Sequence, residues 1–301
     1  MIPAGPIHRR LDSGNRAFWL LVVAVFGFRG LVSILGCCVV CVVGLRLVTV
    51  GPAALLTGGG LMLPAVMLAA LLVATTGTAG VRLARSLYAD RTLRRELRAR
   101  THPYDPYDPV AARFGLAGRV HVVTAEEPFA FTHGLWTPRV VLSTGLVRTA
   151  PPAELVAVLA HESAHVRSRD PLKVLVAQVL LAREFYLPAL RHLSSRFVAG
   201  RELAADRAAA AHCGNRPLAG ALLRVLEPPS WAATTPAAAM ASCSNAATLD
   251  ARITQLETGS EPPPQRTPRR LLLASTLVAV LVLAAAVDAA ILVQQMCMRA
   301  M

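Results

Sequence analysis

Pro151-Pro152-Ala153-Glu154-Leu155-Val156-Ala157-Val158-Leu159-Ala160-His161-Glu162-Ser163-Ala164-His165, continuing to Asp170-Pro171, is the stretch that decides how this chain folds. The two prolines suit a helix start, and Glu154 suits the positive end of the helix dipole. Leu155, Val158, Leu159 and Ala160 supply an apolar face. Asp170 before Pro171 ends that helix and is expected to cap the next one. Residues four apart share a helical face, so the imidazoles of His161 and His165 can converge on one zinc ion. Glu162 is then placed to reach a water polarised by the metal and to act as general base. With 8 histidines in 301 residues, an HExxH spacing arises by chance in roughly 0.7% of sequences of this composition. Two unrelated surface histidines are the weaker reading.

A catalytic zinc site needs a third protein ligand and one open position. The histidine continuation HExxHxxGxxH fails, because Ser168 and Pro171 stand at its Gly and His positions. A downstream carboxylate is therefore expected, and Glu184 and Glu202 both qualify. Glu202 is favoured because Asp206 follows four residues later on the same helical face, where it can accept a hydrogen bond from a ligand histidine. His212 and His133 are candidate oxyanion donors, although a surface or packing role is the plainer reading of each.

The rest of the chain is apolar: 54% of residues are hydrophobic, 16% are charged and the mean hydropathy is +0.49, which points to a membrane protein. Stretches near 18–50, 61–81 and 271–293 are long enough to cross about 30 Å of hydrocarbon. The first is overlong and carries Arg29. One tilted or kinked span is expected there, retained as an anchor, with a split into two short segments as the alternative. Arg29 either snorkels or finds a polar partner, and Asp288 is expected to be solvated near the far interface.

The net charge of +13 resolves by position. Arg9, Arg10 and Arg16 precede the first span, seven arginines between Arg82 and Arg100 follow the second, and Arg266, Arg269 and Arg270 precede the third. By the positive-inside rule the N-terminus and residues 83–270 lie in the cytoplasm of a multi-pass cell-membrane protein, with membrane lipid as a partner of the basic edges. No aromatic-rich basic stretch accompanies the arginines, so no nucleic-acid partner is expected. The six cysteines form no matched CxxC pairs, which disfavours a thiolate zinc module or a disulfide framework.

The expected layout is thus a membrane region at 1–82 with two spans, a cytoplasmic domain at 83–270 and a third span at 271–301. The fold class is mainly α, with about three transmembrane helices and an α+β cytoplasmic domain. Val120 to Thr124 and Arg139 to Leu142 read as short strands. A second helix is expected over Leu172 to Ala182 and a third around Ser195 to His212. Residues 228–240 and 258–268 read as linkers.

Phe131-Thr132-His133-Gly134-Leu135-Trp136-Thr137-Pro138-Arg139-Val140-Val141-Leu142-Ser143-Thr144-Gly145-Leu146, the HExxH helix, Arg169-Asp170-Pro171-Leu172 and Arg201-Glu202-Leu203-Ala204-Ala205-Asp206 together resemble the BlaR/MecR-type membrane zinc metallopeptidases. The resemblance covers about residues 110–257. It implies a gluzincin-like fold, a Zn2+ cofactor, and a protein substrate such as a winged-helix transcriptional repressor. It also implies that Arg139 to Thr144, with Val140, Val141, Leu142 and Ser143, forms an edge strand that aligns an extended substrate by β-augmentation. No SxxK site follows the last span, so direct covalent sensing of a β-lactam is not expected. Two alternatives stand beside this regulatory peptidase. One is a general quality-control protease similar to the heat-shock and CAAX-processing zinc peptidases; the other is a non-catalytic zinc-binding membrane scaffold.

Overall fold

A computed structural model of the chain describes residues 12–51, 62–101, 108–225 and 246–300. The linker expected at 228–240 lies outside them. The elements in chain order are α1 (Ser13–Val50), α2 (Met62–Arg100), α3 (Asp108–Arg113), β1 (Val120–Val123), β2 (Ala130–His133), β3 (Arg139–Ser143), α4 (Thr144–Thr149), α5 (Pro152–Ser168), α6 (Asp170–Arg183), α7 (Pro188–Cys213), α8 (Asn215–Arg224), α9 (Ala246–Thr258) and α10 (Arg269–Ala300). The fold is mostly helical, as the sequence suggests. The first apolar stretch forms one continuous helix rather than two short ones.

The chain divides into two compact units. The first contains residues 12–19, Ala84–Ala177 and Ser194–Gln265; the second contains Leu20–Leu83, Gln178–Leu193 and Arg266–Met301. This differs from the expected layout at two places, and side-chain contacts explain both. Residues 12–19 join the first unit because Asp12 receives the Arg201 guanidinium at 2.7 Å, Asn15 receives Lys173 Nζ at 2.7 Å, and Phe18 packs on Phe197. Residues 178–193 join the second unit through Arg82 to Gln178, Thr78 to the Ala182 carbonyl, and the Ala189 amide to Ser275.

In the second unit, three helical segments are long and apolar enough to cross a membrane: Ser13–Ile34, Leu63–Arg100 and Arg269–Leu292, of which the first and second run on into the first unit. They pack through small residues, Ala65, Ala69, Ala286 and Ala289, together with Val32, Val39 and Leu68. Small side chains let helix backbones approach closely where no water drives association. Arg29 is buried within this unit and reaches Thr76 Oγ1 at 3.5 Å, so it finds a polar partner instead of snorkelling. Asp288 is exposed.

The first unit is built on a three-stranded sheet of order β1-β3-β2. β3 pairs in parallel with β1, Val120 opposite Val140, and antiparallel with β2, His133 opposite Arg139. Alternation along the strands gives the sheet two apolar faces. Val120, Ala130, Val140 and Leu142 pack with Leu155, Val158 and Leu159 of α5, while Val123, Phe131 and Val141 pack with Leu93 and Leu97 of α2. The expectation that Arg139 to Thr144 is a substrate-aligning edge strand is therefore corrected. Both backbone edges of β3 are occupied by neighbouring strands, and Val140, Val141, Leu142 and Ser143 are fully buried. The Ser143 hydroxyl is engaged as well, accepting the Phe129 and Leu146 amides where α4 begins. Among the described residues, β2 has no strand on its second edge.

The start of α1 crosses α7 at a glycine pair. A Cβ on Gly200 would lie 2.5 Å from the Gly14 amide nitrogen, and one on Gly14 would lie 2.8 Å from the Arg201 amide nitrogen. Both are far inside van der Waals contact with backbone, so neither residue can carry a side chain without moving a helix. This close approach is what brings Asp12 within reach of Arg201. Gly200→Ala is expected to destabilise the detergent-solubilised chain by about 1–3 kcal/mol, read from thermal unfolding. Gly27→Ala, with nothing within 4 Å of its Cβ, is the matched control and should leave the midpoint in place.

Candidate metal centre

α5 ends at Arg169, which adopts a left-handed conformation with φ 52° and returns its amide to the last carbonyls of the helix. For a residue with a Cβ this conformation costs about 1–2 kcal/mol. The reversal turns Asp170 back beneath the helix, where its Oδ2 lies 2.8 Å from His165 Nδ1. The expected capping role of Asp170 is not realised, because that same oxygen also accepts Arg201 Nε at 2.9 Å. Arg201 uses its remaining nitrogens on Asp12 and on Ser168 Oγ, each at 2.7 Å. A residue that looks like a solvated neighbour of Glu202 in the sequence is thus a buried three-way clamp, as suits a planar guanidinium with several fixed donors.

His161 and His165 point the same way from α5, their Nε2 atoms 3.1 Å apart. Glu202, on α7, faces both, with Oε2 3.5 Å from His161 Nε2 and Oε1 3.5 Å from His165 Nε2. Four-coordinate zinc with ligands at about 2.0–2.1 Å has neighbouring donors roughly 3.3 Å apart. The three donors therefore already stand close to the edges of such a tetrahedron, and they form a group able to hold a metal ion. Asp206, one turn beyond Glu202, places Oδ1 2.9 Å from His161 Nδ1, off the axis of the ring N–H. Each histidine is thus backed by its own aspartate: Asp206 behind His161 and Asp170 behind His165.

Burial works against charge on His161, but Asp206 and then Glu202 outweigh it and raise the imidazole to about 10. Burial likewise opposes ionisation of Glu202 and Asp206, yet His161 and Arg252, joined at Glu202 by His165, hold both well below the usual carboxylate range. The point where the three donors meet thus draws positive charge, and a divalent cation would compete there with the imidazolium proton. Glu162 is buried, with Oε2 accepting the Thr132 hydroxyl of β2 at 2.6 Å.

Arg252, from α9, closes the group. Its Nε and Nη2 meet the two Asp206 oxygens at 2.6 and 2.8 Å, and Nη1 lies 3.3 Å from Glu202 Oε2. Nothing in the sequence marks Arg252 as part of the site, and Thr132 and Asp170 enter the sequence reading only within the motifs that carry the family resemblance. Asp170 alone carries a local signal, since a carboxylate five residues past a histidine can fold back onto it once the helix stops.

The other sequence candidates fall elsewhere. Glu184 lies in the second unit, where it accepts the Tyr186 hydroxyl and stands 3.9 Å from Arg183. His212 is exposed and its Nδ1 is bonded to the Ala208 carbonyl of its own helix. His133 follows Thr132 in β2 and so points to the opposite face of the sheet from Glu162, beside His121 and Phe131. Neither histidine reaches the centre, which corrects the oxyanion assignment.

Residues 107–240 match peptidase family M48. Two relatives are similar over a shorter segment. One is a protease HtpX homolog 2 of Methanosarcina mazei, 39% identical over 71 residues, or 23% of this chain and 24% of that protein. The other is a protease HtpX homolog of Acidiphilium cryptum, 38% identical over 77 residues, or 24% of this chain and 26% of that protein. The match spans about a quarter of the length of each. Residues 107–240 thus resemble peptidase family M48, and His161, His165 and Glu202, a group able to hold a metal ion, lie within that stretch. The similarity supports that family and HtpX-type relatives rather than the BlaR/MecR type that the motifs resemble.

Removing Arg252 would leave two buried carboxylates without their cation. Arg252→Met is expected to cost about 3–5 kcal/mol of stability, whereas Arg207→Ala, at a partly exposed pair with Glu261, should cost less than about 1 kcal/mol. Thermal unfolding of both variants checks the contrast.

Proposed function

We propose that the chain is a membrane-anchored zinc endopeptidase in which His161, His165 and Glu202 bind the metal and Glu162 is the general base and acid. The observation that carries this reading is the convergence of the two imidazoles and one carboxylate beside a buried glutamate. Zinc, when bound, would polarise a scissile carbonyl and acidify water. Glu162 would accept a proton from the attacking water and deliver it to the departing amine. The Thr132 hydroxyl fixes the rotamer of Glu162 for both transfers. Asp206 and Asp170 hold the rings of His161 and His165 in orientation, as carboxylates behind ligand histidines do.

The free edge of β2 takes the aligning role first expected of Arg139 to Thr144. An extended peptide added there would run past Thr132, next to Glu162, and main-chain hydrogen bonds would hold it with little regard to sequence. This favours cleavage of extended or unfolded polypeptide segments, as in a quality-control protease. The arginine distribution supports a multi-pass orientation with the catalytic unit in the cytoplasm. Cleavage of one cytosolic repressor is the narrower alternative, supported by the motif resemblance. Comparing the proteomes of cells carrying wild-type and Glu162→Gln protein separates the two: many accumulating fragments favour quality control, and a single processed regulator favours signalling.

Glu162→Gln is expected to retain stoichiometric zinc and to lose proteolysis by at least about a hundredfold, measured on an unfolded test protein with metal content determined in parallel. Wild-type turnover by this variant would overturn the catalytic assignment. For the third ligand, Glu202→Ala should lose most bound zinc while Glu184→Ala keeps it, as metal analysis of the purified chains will register.

A further inference from the structure

On the face of the sheet turned away from Glu162, a cavity is lined by Arg94, Leu97, Arg98 and Thr101 of α2 and its end, by His121 and His133 of the sheet, and by Gly134, Thr137 and Arg139. No carboxylate lines it among the described residues. Arg94 is paired with Asp90 at 2.9 Å, but Arg98 has no ion pair among the described residues. Arg139 Nη1 stands 2.9 Å from His121 Nε2. A guanidinium only donates, so Arg139 donates to that imidazole nitrogen. Arg139 has no carboxylate partner among the described residues.

The most telling group is His133. It is 5% exposed, and neither ring nitrogen has a hydrogen-bond partner among the described residues. Burial, then His121, Arg94 and Arg139, push its basicity down to about 3, so it stays neutral with one N–H to donate. Buried polar groups in native proteins are nearly always satisfied, and an orphaned one lining a cavity calls for a water or a ligand there.

We propose that this cavity is a binding site for a phosphate-type oxyanion, clasped by the guanidiniums of Arg98 and Arg139 and by the N–H of His133. Forked guanidinium donors bind the oxygens of phosphate bidentately, and two of them from different elements suit a tetrahedral, multiply charged oxyanion. The anion is a free phosphate or a lipid headgroup. The apolar part of α2 ends near Val81 and Arg94 follows roughly 20 Å further along the helix, which favours the free form. The bound group would sit against β2 on the side opposite Thr132, so the site is separate from the metal centre and does not depend on the peptidase reading.

The test is equilibrium dialysis of the full detergent-solubilised chain against labelled inorganic phosphate, with short-chain phosphatidic acid in a parallel arm. Saturable phosphate binding that weakens at least tenfold in Arg98→Ala and in Arg139→Gln, both exposed positions, supports the site with free phosphate as its ligand. Saturable binding of phosphatidic acid alone, with the same loss in the variants, supports it with a headgroup as the ligand. His133→Phe, which keeps the buried volume, should weaken binding as well. Absence of saturable binding in both arms, binding unchanged in the arginine variants, or equal displacement by acetate would each overturn the proposal.

Discussion

Two helical pairs spaced four residues apart, His161 with His165 and Glu202 with Asp206, face one another across about 3 Å, and the surrounding structure follows from what that burial requires. Three carboxylates, Glu202, Asp206 and Asp170, are removed from water together. Isolated buried carboxylates would cost many kcal/mol or take up protons. Here Arg252 covers Asp206 and Glu202, while Arg201 covers Asp170, so each buried carboxylate has a cation beside it and faces an imidazole. The close glycine crossing of α1 and α7 and the left-handed residue at the end of α5 serve the same end. One delivers Asp12 to Arg201; the other delivers Asp170 to His165.

Much of the centre was legible in the sequence because it is written at helical spacing. HExxH and the Glu202/Asp206 pair each specify a face, and two faces with complementary chemistry predict each other. Arg252 and Thr132 were not legible, because their contacts cross 46 and 30 residues of chain respectively and depend on how α9 and β2 are packed. The strand order failed for a related reason. Arg139 to Ser143 is a short apolar, partly β-branched run, and such a run reads equally well as an edge or as a centre. What distinguishes them is the pairing of β2, whose Ala130-Phe131-Thr132-His133 gives too weak a pattern to announce a strand.

The apolar helices show the converse. Their number and approximate positions followed from length and composition, and the structure contains helices able to cross a membrane at each. The boundary between the two units did not follow, because it is set by single polar contacts. Thr78, Arg82 and Ser275 each tie part of 178–193 to an apolar helix, although 172–182 lies close to α5 in sequence.

The placement of Arg252 has a consequence for the order of events during synthesis. The imidazole pair and Glu202 are made early, but the cation that neutralises Asp206 and Glu202 arrives only when residue 252 has left the ribosome. A nascent chain that ends before α9 holds Glu202 and Asp206 without that counter-charge. Completion of the group is thereby coupled to the arrival of α9, well after α5 and α7 have been made.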